Sequence, residues 1–454
     1  MFVRKNVSLL QIFVQINVVI SYKLVQKNVD MKRNVLSKLI DWKNKKNRKP
    51  LILNGARQVG KTYILREFGS QCYEKMAYVN CDKNKMLEKI FSQDYNISRI
   101  LLSLSAILHV NIEPGNTLII FDEIQESPTV LNSLKYFCED APQYHVAVAG
   151  SLLGISLHNN TSFPVGKVDM IKMYPMTFDE FLMAIGEQPL VDILATKDFS
   201  IIDSLSIRFI DCLRQYYYVG GMPAAVAEFA STKNIEEVRN IQKQILFDYR
   251  RYFSKHAPSQ EVPRINMVWD SIPAQLAKEN KKFIFGALKK GARASEFEIA
   301  IQWLLDAGLI YQINRITTPS IPLKFYEEMS VFKLFVLDIG LMGAMSDAPA
   351  ESVIVADTLF KVTELFVLTQ LITNDLPIYY YSSNDSRIEI DLVVQKGTTV
   401  VPIEIKAEEN VHAKSLRTFI GKHQELKGLR LSMMSYQDQG WMENRPLYAV
   451  GDWV

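Results

Sequence analysis

Gly55-Ala56-Arg57-Gln58-Val59-Gly60-Lys61-Thr62 is the stretch that decides the fold class, because it meets the pattern GxxxxGK[ST] at every fixed position. Glycines let successive backbone N–H groups turn toward a polyphosphate. A helix opening at the Lys-Thr pair adds its positive N-terminal end. Lys61 is expected to reach the β and γ phosphates, and the Thr62 hydroxyl to serve Mg²⁺. The flanks agree: the apolar Leu51-Ile52-Leu53 reads as a strand feeding the loop, and residues 63–68 read as a helix leaving it. ATP and Mg²⁺ are therefore the cofactors this stretch predicts. Its nucleotide contacts run through Gly55, Ala56, Arg57, Gln58, Val59, Gly60, Lys61 and Thr62.

Further along, Leu118-Ile119-Ile120-Phe121-Asp122-Glu123 is four apolar residues ending in two carboxylates. The carboxyl ends of parallel strands face the ligand crevice. Asp122 is expected on a strand neighbouring that of the loop, sharing Mg²⁺ with Thr62. Glu123 is expected to orient or deprotonate the attacking water. The plain alternative is an acidic pair that favours a helix N-terminus. Val146-Ala147-Val148-Ala149-Gly150-Ser151 is a third apolar run with a polar end. Ser151 reads equally as a γ-phosphate sensor and as the N-cap of a helix at 152–157. The catalytic candidates are thus Lys61, Glu123 and Ser151.

Apolar runs at 50–53, 76–80, 118–121 and 146–149 alternate with helical patterns such as 63–68 and 130–138. Such runs suit parallel strands covered on both faces, so an α/β doubly wound parallel sheet is expected over 31–185. Residues 186–260 read as a helical lid or linker broken at Gly220-Gly221-Met222-Pro223. Over 261–345, helices, one of them at 294–307, lead into a strand at 308–313, and helix, helix, then a β hairpin is the order of a winged helix. From 346 to 454 a helix at 359–372 and strands at 378–382, 388–394 and 400–406 suggest a small α/β domain. Lys281, Lys282, Lys289, Lys290 and Arg293 form a local basic cluster. It reads as phosphate contacts or, more simply, as a solvated face. Trp303 reads as core.

Composition narrows the classes. The chain has 454 residues, 48% hydrophobic and 22% charged, with a net charge of +3. That is enough apolar material for two or three cores. The near balance of charge excludes a whole-chain basic field for nucleic acid. Cys72, Cys81, Cys138 and Cys212 lack zinc or thioredoxin spacing and read as free thiols of a cytoplasmic protein. The uncharged stretch 6–22 is short and interrupted by polar residues, so no integral membrane span is expected. Met31 opens a better amphipathic helix, which makes residues 1–30 an extension or a mis-assigned start.

The stretches LILNGARQVGKTYILREF (51–68), LIIFDEIQ (118–125), VAVAGSLLG (146–154) and FPVGKVDMIKMYPMTFDEFL (163–182) together resemble the prokaryotic AAA-superfamily ATPases that carry a C-terminal nuclease-like domain. The resemblance covers residues 31–454. It implies the usual ATPase roles for Lys61, Thr62, Asp122 and Glu123, and the first sensor position for Ser151. Where members often carry Arg after the glycine, this chain has Lys167, a point charge in place of a planar fork. Residues 218–223 also fit the family, without an assignable chemistry.

In the last domain, alternation along strands puts Glu389 and Asp391 on one face, with Glu404 and Lys406 on the matching face of the next strand. A turn at Lys396-Gly397 lets the two faces coincide. Glu364 sits on the preceding helix. An Asp, a Glu and a Lys so gathered suit metal-assisted phosphodiester cleavage. The arrangement resembles the restriction-endonuclease-like fold, with Asp391, Glu404 and Lys406 at its D…ExK positions and Glu364 at its helical acidic one. A fold does not settle an activity. Two readings stay open: an ATPase whose C-terminal domain binds or cuts nucleic acid, and an ATP-dependent switch or scaffold whose C-terminal domain is a module for self-association or a protein partner.

Overall fold

The computed structural model describes residues 31–151, 163–278, 281–350, 360–383, 388–407 and 414–451. The stretch 1–30 and the helix expected at 152–157 lie outside them. Five parallel strands form the first sheet: β1 (Leu51–Asn54), β2 (Lys75–Asn80), β3 (Thr117–Asp122), β4 (His145–Gly150) and β5 (Asp169–Lys172), in the order β2-β3-β4-β1-β5. Each expected strand is present to within a residue.

The physical reason is visible in which core each side chain enters. Leu51, Leu53, Leu118, Ile120, Ala147 and Ala149 join one apolar cluster. Their alternates Ile52, Ile119, Phe121, Val146 and Val148 join a second cluster on the other face. A sheet buried on both faces needs apolar residues at consecutive positions. Each buried Val, Leu, Ile or Phe among them contributes roughly 1.5–3 kcal/mol.

Strand order corrects one expectation. β3 does not neighbour β1, because β4 lies between them. The end of β4, with Ser151, therefore sits between the phosphate loop and the Asp122-Glu123 pair.

The middle of the chain is helical, as expected: Gln188–Thr196, Phe199–Ser204, Ser206–Val219, Pro223–Thr232 and Ile235–His256. The glycine break between the third and fourth of these has a packing cause. Gly220 has φ +71°, and a Cβ on Gly221 would lie 2.1 Å from the Met176 carbonyl oxygen. The Gly221 N–H donates to buried Asp338 at 2.6 Å, and the other oxygen of Asp338 caps the helix Ile339–Met345 through Leu341 N–H at 2.9 Å.

A helix Val262–Leu276 follows, then a 3₁₀ turn Ala294–Glu296 and a helix Glu298–Asp306 in place of one continuous helix at 294–307. Phe297, buried between them, turns the chain. β6 (Ile310–Ile316) and β7 (Glu327–Val336) then form an antiparallel hairpin. This hairpin is not a free wing. β6 pairs in parallel with β8 (Ile378–Ser382), which continues through β9 (Glu389–Lys396), β10 (Thr399–Ile405), β11 (Gly428–Ser432) and β13 (Met442–Pro446) to β12 (Gln437–Asp438). One eight-stranded mixed sheet thus spans both segments read as separate domains.

Two members of the basic cluster are paired with carboxylates, while Lys289, Lys290 and Arg293 are exposed. Lys281 pairs with Glu364, and Lys289 lies 2.6 Å from Glu296. Trp303 is core. No helix among the described residues is long and apolar enough to cross a membrane.

Replacing Gly221 by Ala should destabilise the fold by about 2 kcal/mol, because a backbone carbonyl cannot yield as a flexible side chain can. The urea midpoint measures it; an unchanged midpoint would show that the close approach carries no cost.

Candidate functional site

The loop leaves β1 and enters the helix Lys61–Cys72, with Gly60 at φ +95° and Gln58 at φ 67°. A Cβ on Gly55 would meet the Met173 carbonyl oxygen at 2.3 Å. Lys61 is 9% exposed, and its ammonium donates to the carbonyls of Gly55 (2.8 Å) and Ala56 (2.7 Å). Burial pulls its pKa down to about 8, against the opposing pull of Glu123 and Asp122. Asp122 is buried at the end of β3. One of its oxygens accepts from the Thr62 hydroxyl and from the Tyr78 hydroxyl, each at 2.8 Å, and the other accepts from Glu123 N–H at 3.0 Å. A hydroxyl and a carboxylate that meet this closely are the hard oxygen donors Mg²⁺ takes, so the residues fit that ion. Glu123 turns the chain with φ 51° and accepts from Gln125. Ser151 is buried, and its Oγ accepts from the Tyr252 hydroxyl at 3.2 Å. The structure therefore brings Lys61, Thr62, Asp122, Glu123 and Ser151 to one edge of the sheet.

The C-terminal candidates are arranged differently from the expectation of a solvated face or an open metal site. Glu364 and Glu404 are both buried. One Asp391 oxygen accepts from Ile405 N–H at 2.8 Å, which ties β9 to β10. Burial and the charge of Glu364 push Asp391 up to about 6. Lys406 lies 2.9 Å from one Glu404 oxygen, and the other oxygen has no hydrogen-bond partner among the described residues. Both Glu364 oxygens face lysines, one Lys281 and the other Lys333 at 3.0 Å. Burial alone would raise Glu364, but these two ammonium groups hold it below its ordinary value. Lys333, fully buried on β7, also contacts Glu389 at 2.8 Å and lies over the Tyr380 ring. Among the described residues no group of three or more His, Cys, Asp or Glu is placed to hold a metal ion. Glu364 and Asp391 are balanced by Lys281 and Lys333, and Glu404 is paired with Lys406.

Residues 47–182 match the family model described as an AAA domain. The chain carries an AAA domain. Residues 210–352 and 361–445 match two further families described as domains of unknown function, DUF8612 and DUF4143. No curated protein matches. Solved structures similar to the chain include the Walker-type ATPase of Pyrococcus abyssi, at 14% identity over 70% of this chain and 96% of that one, with a TM-score of 0.46. Others are the Aeropyrum pernix Orc1 protein in complex with DNA (13%, 70% and 92%, TM-score 0.27) and the Thermotoga maritima RuvB Holliday junction branch migration motor (14%, 67% and 92%, TM-score 0.29).

Sequence reasoning missed the groups that hold the loop of the AAA domain from outside. Buried Arg33 donates to the Val59 carbonyl (2.9 Å) and the Tyr174 carbonyl (2.7 Å), and pairs with Glu180 at 3.1 Å. Tyr249 donates to the Arg57 carbonyl at 2.9 Å. Gln58 donates to Asp248 at 3.1 Å, and the Arg57 guanidinium lies over the Tyr252 ring. Asp248 and Tyr249 stand four and three residues before Tyr252 on the helix Ile235–His256, a spacing legible in sequence, though its target is not. Lys167 is a surface residue paired with Glu139 at 2.8 Å. Arg250 pairs with Asp270 at 2.5 Å, and Arg251 lies over Phe247.

A triphosphate would pair with the charged form of Lys61. Raising the pH from 7 to 9 carries the free group through its pKa, so ATP affinity should fall about tenfold. Titration with a fluorescent ATP analogue at both pH values checks this; equal affinities would take the ammonium out of the contact.

Proposed function

We propose that the chain binds and hydrolyses ATP in its AAA domain, with the loop 55–62 as the phosphate cradle. The Thr62–Asp122 contact carries this reading, because it joins two separate sequence signals at one point. Loop amides and the start of the helix Lys61–Cys72 receive the phosphates. Lys61 swings from its own loop carbonyls to the phosphate oxygens. Thr62 and Asp122 would hold Mg²⁺, which neutralises phosphate charge and orients the γ-phosphoryl group. Glu123, turned off the strand by its left-handed backbone, orients the attacking water. Ser151 sits between these groups, and its bond to Tyr252 links the γ-phosphate end of the site to the helix Ile235–His256. Nucleotide occupancy would thus be felt by the helical region, as in a switch.

For the C-terminal sheet, the lysine-paired carboxylates favour a closed module that serves interaction or assembly. The Glu404 oxygen beside Lys406 that has no partner among the described residues favours the second reading, a nuclease-like site that binds or cuts nucleic acid.

Lys61→Ala should lose most nucleotide affinity, by about 2 kcal/mol or more. Glu123→Gln should still bind ATP while turnover falls about a hundredfold or more. Equal turnover in that variant would remove Glu123 from the mechanism. Labelled DNA and RNA with Mg²⁺ or Mn²⁺ separate the two C-terminal readings. Cleavage that survives Lys61→Ala and vanishes in Lys406→Ala establishes the nuclease. No cleavage and no salt-sensitive binding leaves the interaction module.

A further inference from the structure

Several cations around the phosphate loop are already engaged. The Lys61 ammonium lies on its own loop carbonyls, and Arg33 is shared among Val59, Tyr174 and Glu180. Farther out, Lys167 pairs with Glu139 and Arg250 with Asp270. Arg57 differs from these. It sits in the loop itself, between Gly55 and Gly60, and it is exposed. Among the described residues its guanidinium has neither a hydrogen bond nor an ion pair. What holds it is the face of the Tyr252 ring, whose centre is 5.4 Å from the guanidinium carbon.

That ring is a fixed platform. Tyr252 is buried, its hydroxyl donates to Ser151 Oγ at 3.2 Å, and the Trp303 ring packs edge-on against it at 6.0 Å. The main chain of Arg57 is fixed as well, because Tyr249 donates to its carbonyl at 2.9 Å. Tyr249 and Tyr252 stand on one helix, so that helix anchors both the backbone and the side chain of the arginine. Ser151 follows β4, between the loop and the Asp122-Glu123 pair, and the platform therefore lies at the γ-phosphate end of the site. A guanidinium over a ring keeps its N–H donors free in its own plane. Two positive charges also stand close on this loop, since Arg57 is among the groups that lower the Lys61 pKa. Like charges so placed repel, and a polyanion that bridges them turns the repulsion into two charge-assisted contacts.

We propose that Arg57 is a cis-acting catalytic arginine, whose guanidinium contacts the γ-phosphoryl oxygens from within the loop while Tyr252 positions it. The proposal rests on the ATPase reading and deepens it. In hydrolysis, water adds to the γ-phosphorus as the bond to the bridging oxygen breaks. ADP keeps that oxygen, inorganic phosphate leaves, and one proton of the water passes to solvent. The charge that builds on the bridging and γ oxygens falls beside Arg57, which stabilises it. No arginine from a neighbouring molecule is then required.

The test compares ADP, the β,γ-imido analogue of ATP and steady-state ATP turnover in the full chain. Wild type should bind the imido analogue more tightly than ADP. Arg57→Ala should hold ADP within about twofold, lose about tenfold on the imido analogue and turn over ATP about a hundredfold to a thousandfold slower. Arg57→Lys should recover part of the turnover, since it restores the charge without the planar fork. Tyr252→Phe keeps the ring and should keep the preference for the imido analogue. Tyr252→Leu should lose about threefold of it. Mixing Arg57→Ala with Lys61→Ala should restore nothing, because a cis group cannot be lent to another chain. The proposal is overturned if Arg57→Ala hydrolyses ATP like wild type, or if ADP and the imido analogue weaken alike. It is equally overturned if the mixture regains turnover, which would make the arginine act in trans. Wild type that neither binds nor hydrolyses ATP sinks the ATPase reading and this proposal together, whereas an unchanged Arg57→Ala leaves that reading standing.

Discussion

A loop that aims its amide N–H groups at a phosphate must leave its carbonyl groups to be satisfied elsewhere, and much of this molecule is arranged around that constraint. Buried backbone carbonyls need donors. Here the donors come from three places. Lys61 serves Gly55 and Ala56, Arg33 serves Val59, and Tyr249 serves Arg57. Arg33 stands before the first described helix, Val35–Asn44, and Tyr249 stands far beyond the parallel sheet. The shape of the loop is thus a property of the whole chain and not of its eight residues.

The same contacts explain why the AAA domain and the helical region are built as one body. Arg33 is itself fixed by Glu180, which closes a capping box with Thr177 on the helix Phe178–Ala184. Tyr249 and Phe253 pack edge-on against Trp269 of the helix Val262–Leu276, and Tyr252 bonds Ser151. A change at the phosphate end of the sheet meets this helix directly. Asp338 performs a similar joining role lower down, since it receives the Gly221 N–H and caps the helix that begins beside it. Burial pushes its pKa up to about 6, and the backbone N–H groups around it oppose the rise.

The C-terminal sheet obeys a different rule. Its charges are internal, and a buried carboxylate survives there because an ammonium sits beside it. Lys333 illustrates this. It occupies the buried end of a β strand, where an aliphatic residue would ordinarily serve, and it does so because Glu364 and Glu389 converge on it. The sequence pattern that placed Asp391, Glu404 and Lys406 on facing strands was legible from alternation alone. The lysines beside Glu364 were not, because Lys281 and Lys333 lie 83 and 31 residues from it, one ahead of the hairpin and the other on its second strand.

What the sequence determined by itself is local: the glycine loop and its Lys-Thr, the apolar runs of the parallel strands, the acidic ends of those strands, and the helical middle. Periodicity and fixed spacing encode these, since each depends on residues within a few positions of one another. The tertiary structure alone decided the strand order that inserts β4 and Ser151 between β1 and β3. It alone joined the hairpin of β6 and β7 to the last sheet, and it alone decided which cation meets which carboxylate. The reason is physical: these outcomes are set by which distant surfaces can bury their apolar area and satisfy their polar groups together. Arg33 finds Val59 across 26 residues and Tyr249 finds Arg57 across 192, and no local pattern carries that choice.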